Sequence, residues 1–376
     1  METRDALIVG GGPAGSTCAW KLRQAGLDIV VIDAAVFPRD KVCAGWITPQ
    51  VVAELKVDVD EYRRGRTFQP ITGFRVGLIG GRGETQTDYG RPVSFGIRRC
   101  EFDQYLLQRS DARLKLGTPV TSIRRNAGQW TVNDTVRAPL LIGAGGHFCP
   151  VARSINGASV AVPVIVAQEA EVPLDAIGGS AATEREVPEL YFCRDLNGYG
   201  WCIRKGEYVN IGLGRIDHRS LPAATSEFLA FLEARRRISL PRSWRWRGHA
   251  YAAYGTPHRR VVDEGVMLLG DAAGLADPRS GEGIGPAVES GLLGAATIVE
   301  ANGRYSSDRL RPYEAELRAR FGTGPGAPWC APAGIMATRF GLALGRHLLR
   351  TPAFVRHVVL DRWFLHRHEL VSWLST

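Results

Sequence analysis

No run of eighteen apolar residues occurs in this chain of 376, so no segment is expected to cross a membrane as a helix. The basic, apolar and small-residue succession of a secretory signal is also missing from the N-terminus, and a cytoplasmic protein is expected. The seven cysteines are an odd number, scattered, with no C-x-x-C pair and no Cys/His cluster. That spacing argues against a disulfide framework and a metal site, and it suits a reducing compartment. There is no block of positive charge with interleaved aromatics either. The net charge of +9 comes from arginines spread along the chain, so nucleic acid is not expected as a partner. An anionic substrate or a membrane surface fits better. The length exceeds what one core usually holds, and two domains are expected.

Glycine, in contrast, is plentiful and clustered. Between a short apolar strand and an amphipathic helix stands Gly10-Gly11-Gly12-Pro13-Ala14-Gly15, followed by a second strand, Asp28 to Ile32, that ends in Asp33. This is a dinucleotide-binding fingerprint. Gly10 permits the turn, Gly12 lets the backbone approach the pyrophosphate, and Gly15 lets the helix Ser16 to Gln24 pack against the sheet. The helix N-terminus then faces the anion, while the Asp33 carboxylate can accept the hydroxyls of a ribose and repels a 2′-phosphate.

Two further clusters follow. Leu140 to Gly146 comes after a strand pair, Val120 to Arg124 and Gln129 to Val132, joined by a turn at Asn126-Ala127-Gly128; it is expected to be a last parallel strand beneath the cofactor. Val266 to Gly274 is again a strand running into a turn, with Asp271 at its tip. After it come Gly281-Glu282-Gly283-Ile284 and a small-residue helix from Pro286 to about Asn302. Three glycine-bearing strand ends converge on one ligand only if that ligand is long.

In this order and at these separations the clusters resemble the FAD-binding domain of the flavoproteins that include aromatic hydroxylases, flavin-dependent halogenases and geranylgeranyl reductases. Arg99-Cys100-Glu101-Phe102-Asp103 is similar to the R-x-x-F-D helix start of that family, and Arg99 is carried over as a cofactor contact. Two stretches point to the geranylgeranyl reductase-like branch. Pro38-Arg39-Asp40-Lys41-Val42-Cys43-Ala44-Gly45 resembles its P-R-x-K-x-C-x-G stretch. Tyr199-Gly200-Trp201-Cys202-Ile203-Arg204-Lys205-Gly206, with Val209 to Gly214, resembles its Y-x-W-x-F-P-K-G sequence and V-x-x-G-x-G strand, Ile203-Arg204 departing from the Phe-Pro. Aromatic hydroxylases carry Asp-Gly where this chain has Gly145-Gly146, and only Trp201 and Ile203 survive of the W-x-W-x-I-P signature of tryptophan halogenases.

The resemblance implies an α/β fold: a Rossmann-type FAD-binding domain over 1–65, 98–157 and 258–322, an inserted, mostly antiparallel substrate domain over 66–97 and 158–257, and a helical C-terminal region over 323–376. It implies bound FAD held by Gly10, Gly12, Pro13, Ala14, Gly15, Asp33, Ala34, Arg39, Cys43, Ala44, Gly45, Arg99, Val120, Ala144, Gly145, Gly270, Asp271 and the Gly281, Glu282, Gly283, Ile284 loop. Of that loop, the N–H groups suit the anionic edge of reduced flavin, and Glu282 is either an acid near the flavin or a helix-start acid complementing the dipole. Cys43 approaches the flavin face in the family, where a thiol can give the proton that accompanies hydride addition to a double bond. Tyr199 and Trp201, two apart on a strand, share a face and can wall an apolar pocket. Trp244-Arg245-Trp246-Arg247 is either a half-buried strand or a head-group site.

The activity implied is reduction of carbon–carbon double bonds in an apolar, isoprenoid or lipid-like substrate. The alternatives are an FAD-dependent monooxygenase or halogenase, and a flavin-bearing electron carrier or sensor. With no second dinucleotide fingerprint, electrons are expected from an external donor: NAD(P)H, or a protein or small-molecule reductant. Near the C-terminus Thr351-Pro352 starts a helix in which Val355, Val359, Trp363 and Leu370 recur between arginines. It either packs on the body of the protein or lies on an anionic membrane.

Overall fold

The computed structural model describes residues 1–157, 164–177, 184–236, 244–252, 254, 259–322 and 338–367. Leu370 of the sequence analysis lies outside these residues.

The runs of β-branched and aliphatic residues at Ala6–Val9, Ile29–Ile32 and Leu140–Gly143 are buried on both faces, as strands of a covered parallel sheet must be. With Arg113–Lys115, Val266–Leu268 and Val262–Asp263 they form a six-stranded sheet whose pairings are parallel except at the Val262–Asp263 edge. Leu140–Gly143 is therefore not the last parallel strand, as expected from sequence. It is central, between Ala6–Val9 and Val266–Leu268, because the third cluster adds a parallel strand outside it. The hairpin Ile123–Asn126 and Gln129–Val132 belongs to a separate four-stranded sheet, and Val120 precedes it in a loop.

The first helix runs from Pro13 to Gln24, three residues earlier than the sequence suggested. Proline fits its first turn without losing a hydrogen bond. The small-residue helix Ile284–Ala301 lies against it. Closeness is set by Gly291, where a Cβ would meet the Ala14 carbonyl oxygen at 2.7 Å. Gly15 acts the same way inside the turn: a Cβ there would be 1.9 Å from the Gly10 carbonyl oxygen.

A second sheet of seven strands runs in the order Arg247–Ala252, Val164–Pro173, Tyr208–Arg215, Gly198–Lys205, Glu189–Phe192, Gly73–Leu78, Glu84–Asp88. All its pairings are antiparallel except that of Glu189–Phe192 with Gly73–Leu78. Gln69–Ile71 and Ser94–Gly96, expected with that sheet, instead form a small sheet with Trp46–Ile47. The glycines of Val209 to Gly214 have a packing cause: a Cβ at Gly212 would lie 2.2 Å from the Trp201 ring.

The C-terminal segment closes over this sheet. Beyond Pro352–Phe354 the chain winds more widely, from Val355 to Phe364, with the Leu365 N–H bonded to the Leu360 carbonyl five residues back. The wider turn moves the buried set to Val355, Val359, Leu360 and Phe364, and Trp363 is only half-buried. Phe364 packs on Trp46 and Tyr199, with ring centroids 5.8 and 5.2 Å apart. Val355 and Val359 are thus spent on the protein's own core and are not offered to a membrane. Arg356 and Arg362 face solvent.

Candidate active site

A cavity of about 490 Å3 opens at the C-terminal ends of the parallel strands, where ligands bind in open α/β sheets. The wide sheet covers its other side. Every residue singled out from the sequence as a site residue lines it except Gly15, whose part is the tight packing described above.

At one end are the nucleotide-type contacts. Gly10 has φ +112°, and a Cβ on it would be 2.3 Å from the Ala144 carbonyl oxygen, so the turn requires glycine. Asp33 accepts the Gly11 N–H at 2.7 Å and the Ala35 N–H at 2.8 Å. A carboxylate has about four lone-pair sites, which leaves acceptor capacity for a ribose. Arg39 stacks over Phe37 and reaches Asp103 at 3.2 Å, while its Nη1 is buried with no partner among the described residues. Arg99 holds Asp103 by two bonds of 2.8 Å and lies beside the Cys43 thiol.

The middle contains a cluster absent from the sequence reading. On the edge strand, His249 and Tyr251 are two apart, with their rings stacked 6.3 Å apart, and both line the cavity. His249 Nε2 is 2.5 Å from Lys41 Nζ and 3.9 Å from Asp271. Burial tends to raise the Asp271 carboxyl, but His249 and Lys41 outweigh it and hold it below its usual range. Burial pushes the Lys41 amine down to about 8, against the pull of Asp271. The alternation of residues 245, 247, 249 and 251 was the available signal; without the fold, nothing told which face met a ligand.

At the far end is the Gly281–Ile284 loop. The Gly281 N–H donates to the Asp277 carbonyl, the Glu282 N–H to Ser280 Oγ and the Gly285 N–H to Glu282 Oε1. The Gly283 and Ile284 N–H groups therefore remain as the loop's donors without an acceptor among the described residues. Glu282 is accounted for as a capping acid, its second oxygen 3.0 Å from His366 Nε2. The Tyr199 hydroxyl donates to the Ser280 carbonyl, and Tyr251 is half-buried, with burial raising its phenol.

Cys43, half-buried, faces the cavity with Trp46, Tyr199 and Trp201. Its backbone is gripped from behind. The Cys43 N–H donates to Glu169 at 2.8 Å, and Asn210 Nδ2 donates to the Cys43 carbonyl at 3.4 Å. Asn210 is oriented by the Trp201 Nε1–H, which donates to its oxygen at 2.6 Å. Beneath lies Lys205, fully buried, 3.0 Å from Glu171. Burial would raise the Glu171 carboxyl, but Lys205 and Arg98 hold it down to about 2. A Cβ on Gly45 would meet Lys205 Nζ at 2.3 Å, so the glycine of one motif is required by the lysine of the other. Lys205→Met is expected to cost about 3 kcal/mol of folding stability, because it leaves the half-buried Glu171 carboxylate with Arg98 as its cation and only the Asn210 amide besides. Urea unfolding measures this; an unchanged midpoint would show the pair to be dispensable.

The residues present fit a long dinucleotide. A glycine turn that a Cβ would block, an orphaned arginine nitrogen and two free amides at the far end are spaced along one cavity. Fold and site together define a dinucleotide-binding flavoprotein oxidoreductase. Residues 8–59 match the model of the NAD(P)-binding Rossmann-like domain family. The chain is 30% identical over 343 residues to a menaquinone reductase of Mycolicibacterium smegmatis, covering 82% of this chain and 80% of that protein. It is 26% identical over 332 residues to the chloroplastic geranylgeranyl diphosphate reductase of Arabidopsis thaliana, covering 81% and 68%. A solved structure from Thermoplasma acidophilum, geranylgeranyl bacteriochlorophyll reductase-like, superimposes with a TM-score of 0.77 at 20% identity, over 98% of each chain. This chain belongs to the geranylgeranyl reductase-like family of FAD-dependent oxidoreductases.

Proposed function

We propose that this protein reduces carbon–carbon double bonds of an isoprenoid chain, with Cys43 as proton donor. The observation that carries the reading is the place of Cys43: its thiol stands on the wall of the dinucleotide cavity among Trp46, Tyr199 and Trp201, while Glu169 and Asn210 hold its backbone. FAD, when bound, supplies hydride chemistry. Gly10, Gly12, Pro13 and Ala14 would hold its pyrophosphate, Asp33, Ala34 and Arg39 its nucleoside end, Gly270 and Asp271 its middle, and the Gly283 and Ile284 amides its ring edge. The aromatic wall orients an apolar chain and excludes water from it. The Tyr199 hydroxyl is engaged by the Ser280 carbonyl, and burial makes the Tyr251 phenol a weaker acid, which favours the Cys43 thiol as the proton donor at that wall. An electron carrier without organic substrate has no use for such a wall. Peripheral contact with the inner face of a membrane is part of the proposal, through the Arg339–Leu348 helix, where Phe340 and Leu344 are exposed.

Protein reconstituted with FAD and reduced anaerobically with dithionite is expected to reoxidise on mixing with geranylgeranyl diphosphate or a menaquinone, giving a product heavier by two hydrogens. No reoxidation with either, together with an oxygenated product from an aromatic substrate in air, would replace this reading by the monooxygenase one. NAD(P)H alone is expected to bleach the flavin slowly, since Gly145-Gly146 lacks the carboxylate of the NADPH-using hydroxylases. Fast, saturable bleaching in stopped flow would contradict that.

A further inference from the structure

A second cavity, of about 230 Å3, lies behind the Asp40–Cys43 segment and shares Asp40, Lys41, Cys43 and Arg99 with the first. Cys43 therefore lines both cavities. The back cavity holds Glu169 and Glu171, and its rim includes the exposed Arg245 and Arg247. Glu169 is 6% exposed. Its Oε2 accepts from the Cys43 N–H at 2.8 Å and from Asn210 at 3.2 Å, and its Oε1 accepts from no described residue. A water needs roughly 30 Å3 and two or more polar partners, so this cavity has room for several.

We propose that Glu169 and the back cavity return to Cys43 the proton it gives up, from the side opposite the substrate. The inference rests on Cys43 being the proton donor. An apolar chain in the front cavity shuts water away from the thiol, yet each reduced double bond leaves a thiolate that must be reprotonated. The Glu169 carboxylic acid passes its proton to a water of the back cavity, that water protonates Cys43 Sγ, and the Glu169 carboxylate left behind regains a proton from solvent at the arginine rim. No electrons move.

The surroundings suit the task. Burial pushes the Glu169 carboxyl up to about 7, although Lys205, the Cys43 N–H and Asn210 pull it down, so both forms are populated near neutrality. Glu171 on its own strand opposes ionisation. Arg247 stands opposite on the edge strand; Asp40 and Lys41 come from the loop, and Arg98, Arg99 and Cys100 from the helix start.

Glu169→Gln tests the relay, because glutamine keeps an oxygen for the Cys43 N–H but carries no acidic proton. FAD binding and dithionite reduction should be unchanged, turnover should fall by about 10-fold or more, as for loss of a positioned proton donor, and the step in the pH–rate profile near neutrality should vanish. A cofactor-free readout is alkylation of Cys43 by iodoacetamide against pH, followed by peptide mass, with Cys43→Ser as background. The wild-type profile should bend near neutrality as Glu169 ionises, and the Gln variant should not. Wild-type turnover and an unaltered alkylation profile in Glu169→Gln would overturn the relay, and so would a loss seen only in Glu169→Ala, which would make Glu169 a backbone anchor. Full turnover in Cys43→Ser would instead overturn the proton-donor reading itself.

Discussion

Cys43→Ala and Cys43→Ser are each expected to fold, retain FAD and lose turnover with a prenylated substrate by roughly 10²- to 10⁴-fold, the worth of a positioned proton donor. The structure explains why fold and retention should survive. The cysteine is held by its backbone N–H and carbonyl, through Glu169 and Asn210, and the sulfur adds only a long contact from the Gly45 N–H at 3.4 Å and its place beside Arg99. Cys193→Ala, in the core on the far side of the wide sheet and lining neither cavity, serves as the control and should keep its turnover. Steady-state product formation by mass spectrometry, normalised to bound flavin, makes the comparison. Turnover within about threefold of wild type in both Cys43 variants lies far below the loss of a positioned donor. That outcome would return the search for an acid to Tyr251 or bound water.

Asp271→Ala should weaken FAD retention by roughly 10- to 150-fold, since a hydrogen bond to a charged, buried partner is worth about 1.5–3 kcal/mol. Asp271 is fitted for this: it stays ionised although buried, because His249 and Lys41 face it. The alanine variant leaves Lys41 and the His249 ring without their carboxylate, so part of the loss will be a rearranged Lys41. Asp271→Asn separates the effects by keeping an acceptor oxygen. Quenching of flavin fluorescence on titrating FAD into apoprotein gives the constants. Equal affinity in wild type and Asp271→Ala would remove Asp271 from the cofactor site.

Much of the nucleotide end could be read in one dimension. Gly10, Gly12, Gly15 and Asp33 are close in sequence, and the demands on them are local: a positive φ at Gly10, a close backbone approach, an acid at a strand end. The same holds for the hairpin at Asn126-Ala127-Gly128. Reading failed where spacing changed its meaning. Val355, Val359 and Trp363 suited an ordinary helix, but the wider turn there buries Phe364 in place of Trp363. Glu282 could be assigned two ways until Gly285 and His366 were seen beside it.

By itself the sequence determined the class of ligand, the glycine-bearing strand ends that carry it and the two motifs that mark the family, because each depends on residues within one turn or strand. Only the tertiary structure decided that the two motifs form one unit. Lys205 fills the space that Gly45 leaves, and Glu169, Asn210 and Trp201 fix Cys43 from a sheet more than a hundred residues away along the chain. Burial is the physical reason. The energies of Glu169, Glu171 and Lys205 are set by neighbours and by exclusion from water, and neither exists until the chain has folded.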